Sequence, residues 1–347
     1  MKKISLNEKI FIAGSTGMAG SAICRAFKKY GYGSNANGGN LLIPKKNELN
    51  LLDHNAINDW FYRNKPSVVV LAAAKVGGIL ANTNSPADFL LENIKIQTNV
   101  IEASWKFGVK RFLFLGSSCI YPKYAQQPIS EDSLLNGALE STNQWYAVAK
   151  ISGIKLCESL RLQYGFDAIS LMPTNLYGPG DNYHPTNSHV IASLIRKFCD
   201  ASINSTRSVN CWGSGTALRE FLHVNDLGEA VVFTLENWDP SAKEAPLDNS
   251  GTPLTFLNVG TGKDISIRDL SIKIAKYAGF NGEVTWDSTK PDGTPKKQLN
   301  CQRINTLGWY PKISLDEGIK ETVKLGHIDA RFVFLCDPYT VFNVYAE

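Results

Sequence analysis

A short apolar strand running straight into three evenly spaced glycines constrains this chain more than any other feature. Ile10-Phe11-Ile12-Ala13 has the length and composition of a buried strand. Gly14-Ser15-Thr16-Gly17-Met18-Ala19-Gly20 follows, and then a helical stretch from Ser21 to about Lys29. Strand, glycine turn and helix in that order open a βαβ unit. Gly14 permits the tight turn, Gly17 lets backbone approach a pyrophosphate, and Gly20 lets the helix pack closely, with the helix N-terminus facing the anion. The expected fold is therefore α/β: a Rossmann-type doubly wound parallel sheet that binds a dinucleotide through Gly14, Ser15, Thr16, Gly17, Met18 and Gly20.

Further strands are expected at Asn40 to Ile43, Ser67 to Ala74, Arg111 to Gly116 and Ala168 to Met172. Their carboxyl ends are where an open parallel sheet holds ligands. The second is followed by Pro44-Lys45-Lys46, where an NAD-specific site would place an acidic residue; two cations suit a 2′-phosphate, so the cofactor is expected to be NADPH. Asp53 is expected to meet the adenine. Ala73 and Gly116 leave room for backbone to lie against the cofactor. Pro173-Thr174-Asn175-Leu176-Tyr177-Gly178-Pro179-Gly180 reads as an irregular loop over the nicotinamide.

Tyr146 and Lys150 lie four residues apart in a segment that reads as helix through Ile151, Ile154, Leu156, Leu160 and Leu162, so both project from one face. A neighbouring ammonium favours phenolate, lowering the Tyr pKa toward working pH, where it can trade a proton with a carbonyl or alcohol oxygen. Such a pair occurs on many surface helices; the glycine turn before it and the Ser117-Ser118-Cys119 segment between give it weight. Ser117 stands within reach to share a substrate oxygen. Judged by residue type alone, Cys119 is a buried inert thiol and His189, opening a helix over Val190 to Phe198, a cap or core contact.

With 347 residues and 44% hydrophobic content the chain can bury one large core or two joined ones. The expected division is a nucleotide-binding domain over 1–180 plus 224–262, a smaller α/β substrate-binding domain over 181–223 plus 263–325, and a divergent tail, 326–347. A formal charge of +4 without a long basic run argues against nucleic acid and suits a phosphorylated small molecule. Seven scattered cysteines without a Cys-x-x-Cys fit free thiols in a reducing cytosol, and no metal site is visible. Met1-Lys2-Lys3 opens no signal peptide, and the run Val68 to Ala74 is too short to span a membrane, so a cytoplasmic location is expected. The helix over Pro86 to Trp105 carries more apolar residues than one sheet contact needs, which suggests a homodimer. Trp212 could stack on a base, with Lys197, Arg219 and Lys297 as phosphate partners for a nucleotide-sugar.

Together these residues resemble the extended short-chain dehydrogenase/reductases, and more closely the GDP-L-fucose synthase family, NADPH-dependent epimerase-reductases of GDP-4-keto-6-deoxy-D-mannose. The likeness runs from about Ile10 to Thr322. It is carried by Ala72-Ala73-Ala74-Lys75-Val76-Gly77-Gly78-Ile79, Gly116-Ser117-Ser118-Cys119-Ile120-Tyr121-Pro122-Lys123, Pro173 to Pro179, Asn187-Ser188-His189-Val190-Ile191 and Lys290-Pro291-Asp292-Gly293-Thr294-Pro295. The resemblance implies that Ser117, Tyr146 and Lys150 form the reductase set and Cys119 and His189 an epimerisation pair. It implies cofactor contacts from Lys45, Lys46, Asp53, Ala73, Gly116, Ser117, Tyr146, Lys150, Pro173, Thr174, Asn175, Leu176 and His189. Lys197, Trp212, Arg219, Asp292 and Lys297 would contact the GDP-sugar. The implied activity is 3,5-epimerisation and 4-reduction to GDP-L-fucose; the alternative is another nucleotide-sugar 4-epimerase or 4-keto reductase, which needs only the Ser-Tyr-Lys set. The chain departs from the family in having Ser15-Thr16 where a basic residue is common, in a longer Gly31 to Gly39, and in Gly326 to Glu347, which is expected not to continue the terminal helix.

Overall fold

The computed structural model describes residues 2–184, 188–290 and 292–333. β1 (Lys9–Ala13) buries its last four residues and turns into α1 (Met18–Lys29), which buries Ala22, Ile23, Ala26 and Phe27 at helical spacing. There follow β2 (Asn40–Leu42), α2 (His54–Asn64), β3 (Val68–Leu71), α3 (Ile79–Asn84), α4 (Pro86–Lys106), β4 (Arg111–Leu115), α5 (Gln144–Tyr164) and β5 (Ala168–Pro173). β3, β4 and β5 are buried at every residue, as strands with helices on both faces must be. The chain continues through β6 (Asn175–Tyr177), α6 (Val190–Ile203), β7 (Ser208–Trp212), β8 (Leu218–His223), α7 (Val224–Asn237) and β9 (Phe256–Val259). It ends with β10 (Asp264–Ser266), α8 (Ile267–Tyr277), β11 (Glu283–Asp287), β12 (Lys296–Lys297), α9 (Gln302–Thr306) and α10 (Leu315–Val333).

Six strands form a sheet in the order β2-β1-β3-β4-β5-β9, with every pairing parallel. The chain leaves β1 outward to β2 and returns across it to β3, so the strand order reverses between β1 and β3, and a ligand crevice opens there at the carboxyl ends. A second sheet is built on β8, which pairs with β6 and β12 in parallel and with β10 antiparallel; β7 pairs with β11. Two hydrophobic cores result. The larger, around the six-stranded sheet, includes Phe11, Phe61 and Phe112; the smaller includes Phe198, Ile274, Phe280, Ile319 and Val323.

Three expectations need correction. The third strand stops at Leu71, leaving Ala72 to Ala74 as irregular backbone against the crevice. The segment after β5 is not wholly irregular: Asn175–Tyr177 pairs with Phe221–His223, a partner too distant in sequence to be read locally. The terminal helix does not stop near Gly326 but runs on to Val333. Asn187, Pro291 and the tail from Phe334 to Glu347 lie outside the described residues. The surplus apolar residues of α4 are partly spent on the fold: Phe89, Val100 and Ile101 are buried, whereas Leu91 stays exposed.

Glu220 ties the two sheets together. Fully buried on β8, its carboxylate accepts from the backbone N–H groups of Thr261 at 2.6 Å, Gly262 at 2.8 Å and Leu299 at 2.7 Å. Burial pushes the carboxyl above its ordinary pKa against the opposing pull of these donors. Glu220→Ala would strand one buried donor, the Leu299 N–H, and two partly buried ones, a buried donor being worth about 1–3 kcal/mol when left unpaired. The expected loss of unfolding free energy is about 3 kcal/mol or more, read from the denaturant midpoint at unchanged slope; a loss below about 1 kcal/mol would show that the three amides find other partners.

Candidate active site

The glycine turn is shaped by contact as well as by dihedral angle. Gly14 has φ +88°, and a Cβ there would lie 2.7 Å from the Cα of Ala73; a Cβ on Gly20 would overlap the Gly14 carbonyl. A Cβ on Gly17 would meet only the Gly14 carbonyl, at 3.5 Å. The turn and the start of α1 open on a cleft of about 1130 Å³ that continues past the ends of β3, β4 and β5 to β7 and β8. Its volume exceeds the roughly 300–1,000 Å³ usual for one small ligand. The cleft therefore has room for two ligands end to end.

Most residues singled out from the sequence line this one cleft: Gly14, Thr16, Gly17, Met18, Gly20, Lys46, Ala73, Gly116, Ser117, Cys119, Tyr146, Pro173, Thr174, Asn175, Leu176, His189, Lys197, Trp212, Arg219, Asp292 and Lys297. Four are placed otherwise. Ser15 turns inward and is buried. Lys45 stays exposed outside the cleft, its backbone N–H donating to Glu48. Asp53 caps α2, its carboxylate accepting from the Ala56 N–H at 3.0 Å, and Asn50, Leu51 and Leu52 face the cleft in its place. Lys150 is sealed beneath the cleft floor.

At the centre, Ser117 ends the β4 turn. It caps the short turn Ser118–Ile120 by accepting from the Cys119 N–H, donates to Cys119 Sγ at 3.2 Å, and hydrogen-bonds the Tyr146 hydroxyl. One hydroxyl thus touches both candidate proton-transfer groups. The expected phenolate is not what the environment favours: burial, with a smaller contribution from Cys119, pushes the Tyr146 phenol above its ordinary value, and the Ser117 bond only partly opposes this. Nor is Lys150 a freely charged neighbour. Its Nζ donates to the Leu115 carbonyl at 2.7 Å and lies 4.6 Å from the Phe114 ring centroid and 5.8 Å from that of Tyr146. Burial pushes it down to about 7.

That depressed value makes a stability prediction. The unfolded chain keeps the lysine proton to about pH 10.5, so the folded protein is penalised below that range and recovers stability as pH rises from about 7 to about 10. Lys150→Met is expected to raise the unfolding free energy at pH 7 by about 1–4 kcal/mol, with the gain vanishing near pH 10.5. Denaturant titrations of both proteins at the two pH values measure it; a variant less stable at pH 7 would contradict the assignment.

His189 occupies the N-cap position of α6, yet its ring makes no capping bond. It stays exposed to the cleft, while crowding by protein and the charge of Lys297 push the imidazole below its ordinary pKa. Lys297 of β12 brings Nζ to 3.8 Å from Cys119 Sγ, and Asn143 brings Nδ2 to 3.5 Å. The sequence reading missed Asn143, although its position three residues before Tyr146 was a usable signal. It also missed Glu140, which lines the cleft and pairs with Lys123 at 2.9 Å.

At the far end, Trp212 is 52% exposed, with Lys197 Nζ 5.5 Å and Lys290 Nζ 5.6 Å from its ring. Arg219 donates to the Asp292 carbonyl at 3.2 Å, and burial pushes its pKa down. The Asp292 carboxylate holds Ser214 through its N–H at 2.7 Å and hydroxyl at 2.8 Å. No group of three or more His, Cys, Asp or Glu side chains placed to hold a metal ion occurs among the described residues, and no described helix is long and apolar enough to cross a membrane.

Residues 10–245 match the NAD dependent epimerase/dehydratase family. The GDP-L-fucose synthase of Escherichia coli (strain K12) is 50% identical over 315 residues, covering 91% of this chain and 95% of that protein. GDP-L-fucose synthase 1 of Arabidopsis thaliana is 49% identical over 314 residues, covering 90% and 91%. Among solved structures, MlghC, a GDP-mannoheptose C4 reductase from Campylobacter jejuni with NADP bound, superposes with a TM-score of 0.82 at 34% identity, covering 92% of this chain and 98% of that one. With the glycine turn, the parallel sheet and the Tyr146–Lys150 helix converging on one cleft, the chain belongs to the NAD dependent epimerase/dehydratase family.

Proposed function

We propose that the chain is a GDP-L-fucose synthase, converting GDP-4-keto-6-deoxy-D-mannose to GDP-L-fucose by epimerisation at carbons 3 and 5 and reduction at carbon 4. The observation that carries this reading is the 3.2 Å contact between Ser117 Oγ and Cys119 Sγ in a cleft that His189 also lines. A reductase or simple 4-epimerase needs Ser117, Tyr146 and Lys150; a thiol and an imidazole beside them supply a second acid–base pair. The names of the relatives at about half identity point the same way.

A 4-keto group acidifies the protons on carbons 3 and 5. Ser117 and Tyr146 hydrogen-bond the ketone oxygen and its enolate. Cys119, as thiolate, removes the carbon-bound proton, and His189 returns one to the other face, inverting the centre. Burial, with the charge of Lys297, holds His189 toward its neutral form. Bound NADPH supplies the hydride for carbon 4. Tyr146, kept protonated by its burial, gives its proton to the new hydroxyl. The glycine turn, free of side chains where a pyrophosphate would lie, fits the dinucleotide, and Lys46, exposed at that end of the cleft, is the 2′-phosphate partner that favours NADPH over NADH.

In this reading 1–180 plus 224–262 hold the cofactor and 181–223 plus 263–325 the GDP-sugar, stacked on Trp212 and bound by Lys197, Arg219, Asp292 and Lys297. The protein acts as a cytoplasmic homodimer, for which the exposed Leu91 of α4 and Val148 of α5 are the support. Proton NMR in heavy water with NADPH and GDP-4-keto-6-deoxy-D-mannose tests the function. Oxidised cofactor with deuterium at both carbons is expected; oxidation without deuterium would make the protein a plain 4-keto reductase.

A further inference from the structure

Two inversions by one thiol and one imidazole raise a question of proton accounting. After the first, Cys119 holds a proton that it must lose, and His189 lacks one that it must regain, before the second carbon can be inverted. His189 is exposed and can exchange along its own edge. Cys119 is not so placed, because a bound GDP-sugar would cover the side that faces the cleft.

The structure holds another way out. A second cavity of about 40 Å³ adjoins Cys119, above the roughly 10–15 Å³ needed to admit a water. Its wall includes Cys119, Asn143, Glu140, Thr294, Lys297 and Lys123. All but Lys123 also line the main cleft, so Cys119 stands between the two spaces. Inside, Lys297 Nζ is 3.8 Å from the sulfur. Toward the outside, Glu140 bonds Lys123 at 2.9 Å and accepts from Thr294 at 3.4 Å; the Lys123 side chain is 30% exposed and that of Glu140 15%. Polar side chains thus line the cavity both beside the thiol and at its outer end, and burial of Glu140 is outweighed by its bonds to Lys123 and Thr142, which hold it ionised.

We propose that this cavity is the route by which Cys119 discharges its proton to solvent between the two inversions, with Lys297 as the counter-charge for the sulfur. The inference rests on the epimerase-reductase reading above. In the step the S–H bond breaks, its electron pair stays on sulfur, and the proton passes to cavity water and leaves past the Lys123–Glu140 pair. Lys123 and Glu140 touch neither sulfur nor substrate in this scheme and are positioning residues. Lys297 touches the reacting sulfur.

The test uses the full chain in single turnover with NADPH and GDP-4-keto-6-deoxy-D-mannose in heavy water, with products resolved by NMR. Lys123→Met changes no residue that lines the main cleft, but it removes the partner of Glu140 and replaces the polar exit with an apolar one. It is expected to raise the ratio of singly to doubly inverted product about tenfold, and Lys123→Arg to restore the wild-type ratio. An unchanged ratio in Lys123→Met overturns the route. A substrate-free measurement tests the counter-charge: Lys297→Met should slow alkylation of Cys119 by iodoacetamide at pH 7.5 about tenfold, followed by peptide mapping; equal rates overturn that part. Wild-type protein that oxidises cofactor with no deuterium at either carbon fails differently, removing the functional reading and this inference with it.

Discussion

Cys119→Ser is expected to reduce formation of doubly inverted product by about 10²- to 10⁴-fold, the range spanned by loss of a positioned general base, with the unfolding midpoint unchanged. The replacement is nearly isosteric, and its hydroxyl can still meet Ser117, Asn143 and Lys297, which lie within 3.2, 3.5 and 3.8 Å of the sulfur. Packing and hydrogen bonding are therefore kept. What is lost is the accessible anion, because thiols as a class are far stronger acids than alcohols. Reduction, which uses Ser117 and Tyr146, should continue on uninverted or singly inverted ketone. Cofactor oxidation with deuterium at one carbon or neither is the signature to look for, and undiminished double inversion would return Cys119 to a structural role.

Tyr146→Phe should produce the opposite split. The ring keeps its place in the cleft wall, but the hydroxyl shared with Ser117 disappears. Carbon 4 then has no acid for its new oxygen, and the rate of NADPH oxidation is expected to fall by about 10³-fold. Deuterium entry at carbons 3 and 5 should suffer less, by about 10²-fold, the lower end of the cost of removing one enolate donor, because Ser117 still donates one hydrogen bond. Both rates can be followed in one sample. Reduction retained above a tenth of the wild-type rate would assign the proton to another group.

What the sequence revealed, it revealed through local rules. The turn from Ile10 to Gly20 is legible because strand, glycine spacing and helix are contiguous, and β3 to β5 are legible as apolar runs. The capping role of Asp53 went unread although Asp immediately before an 11-residue helix is a capping signal. The charge states of Tyr146 and Lys150 could not be read from their spacing: they depend on Phe114 and the Leu115 carbonyl, more than thirty residues earlier in the chain, closing over the lysine. Likewise nothing near Cys119 announces Lys297. It arrives through β12 pairing beside Arg219 and through Glu220 holding Leu299.

The alternation of the chain between its two cores bears on how the protein is made. Residues of the larger core come from β1 through β5, then from α7 and β9, and again from Leu299, Cys301, Ile304 and Trp309; those of the smaller come from α6 to β8, from α8, and last from Ile319 and Val323. During synthesis the open edge of β5 waits for Phe256–Val259 to emerge, and the smaller core for α10. Neither core can close on the ribosome until nearly all of the described chain has been translated, so long stretches of apolar strand remain exposed to chaperones or to neighbouring nascent chains. A stop codon before Leu315 would remove fewer than a tenth of the residues, yet it would leave the smaller core open.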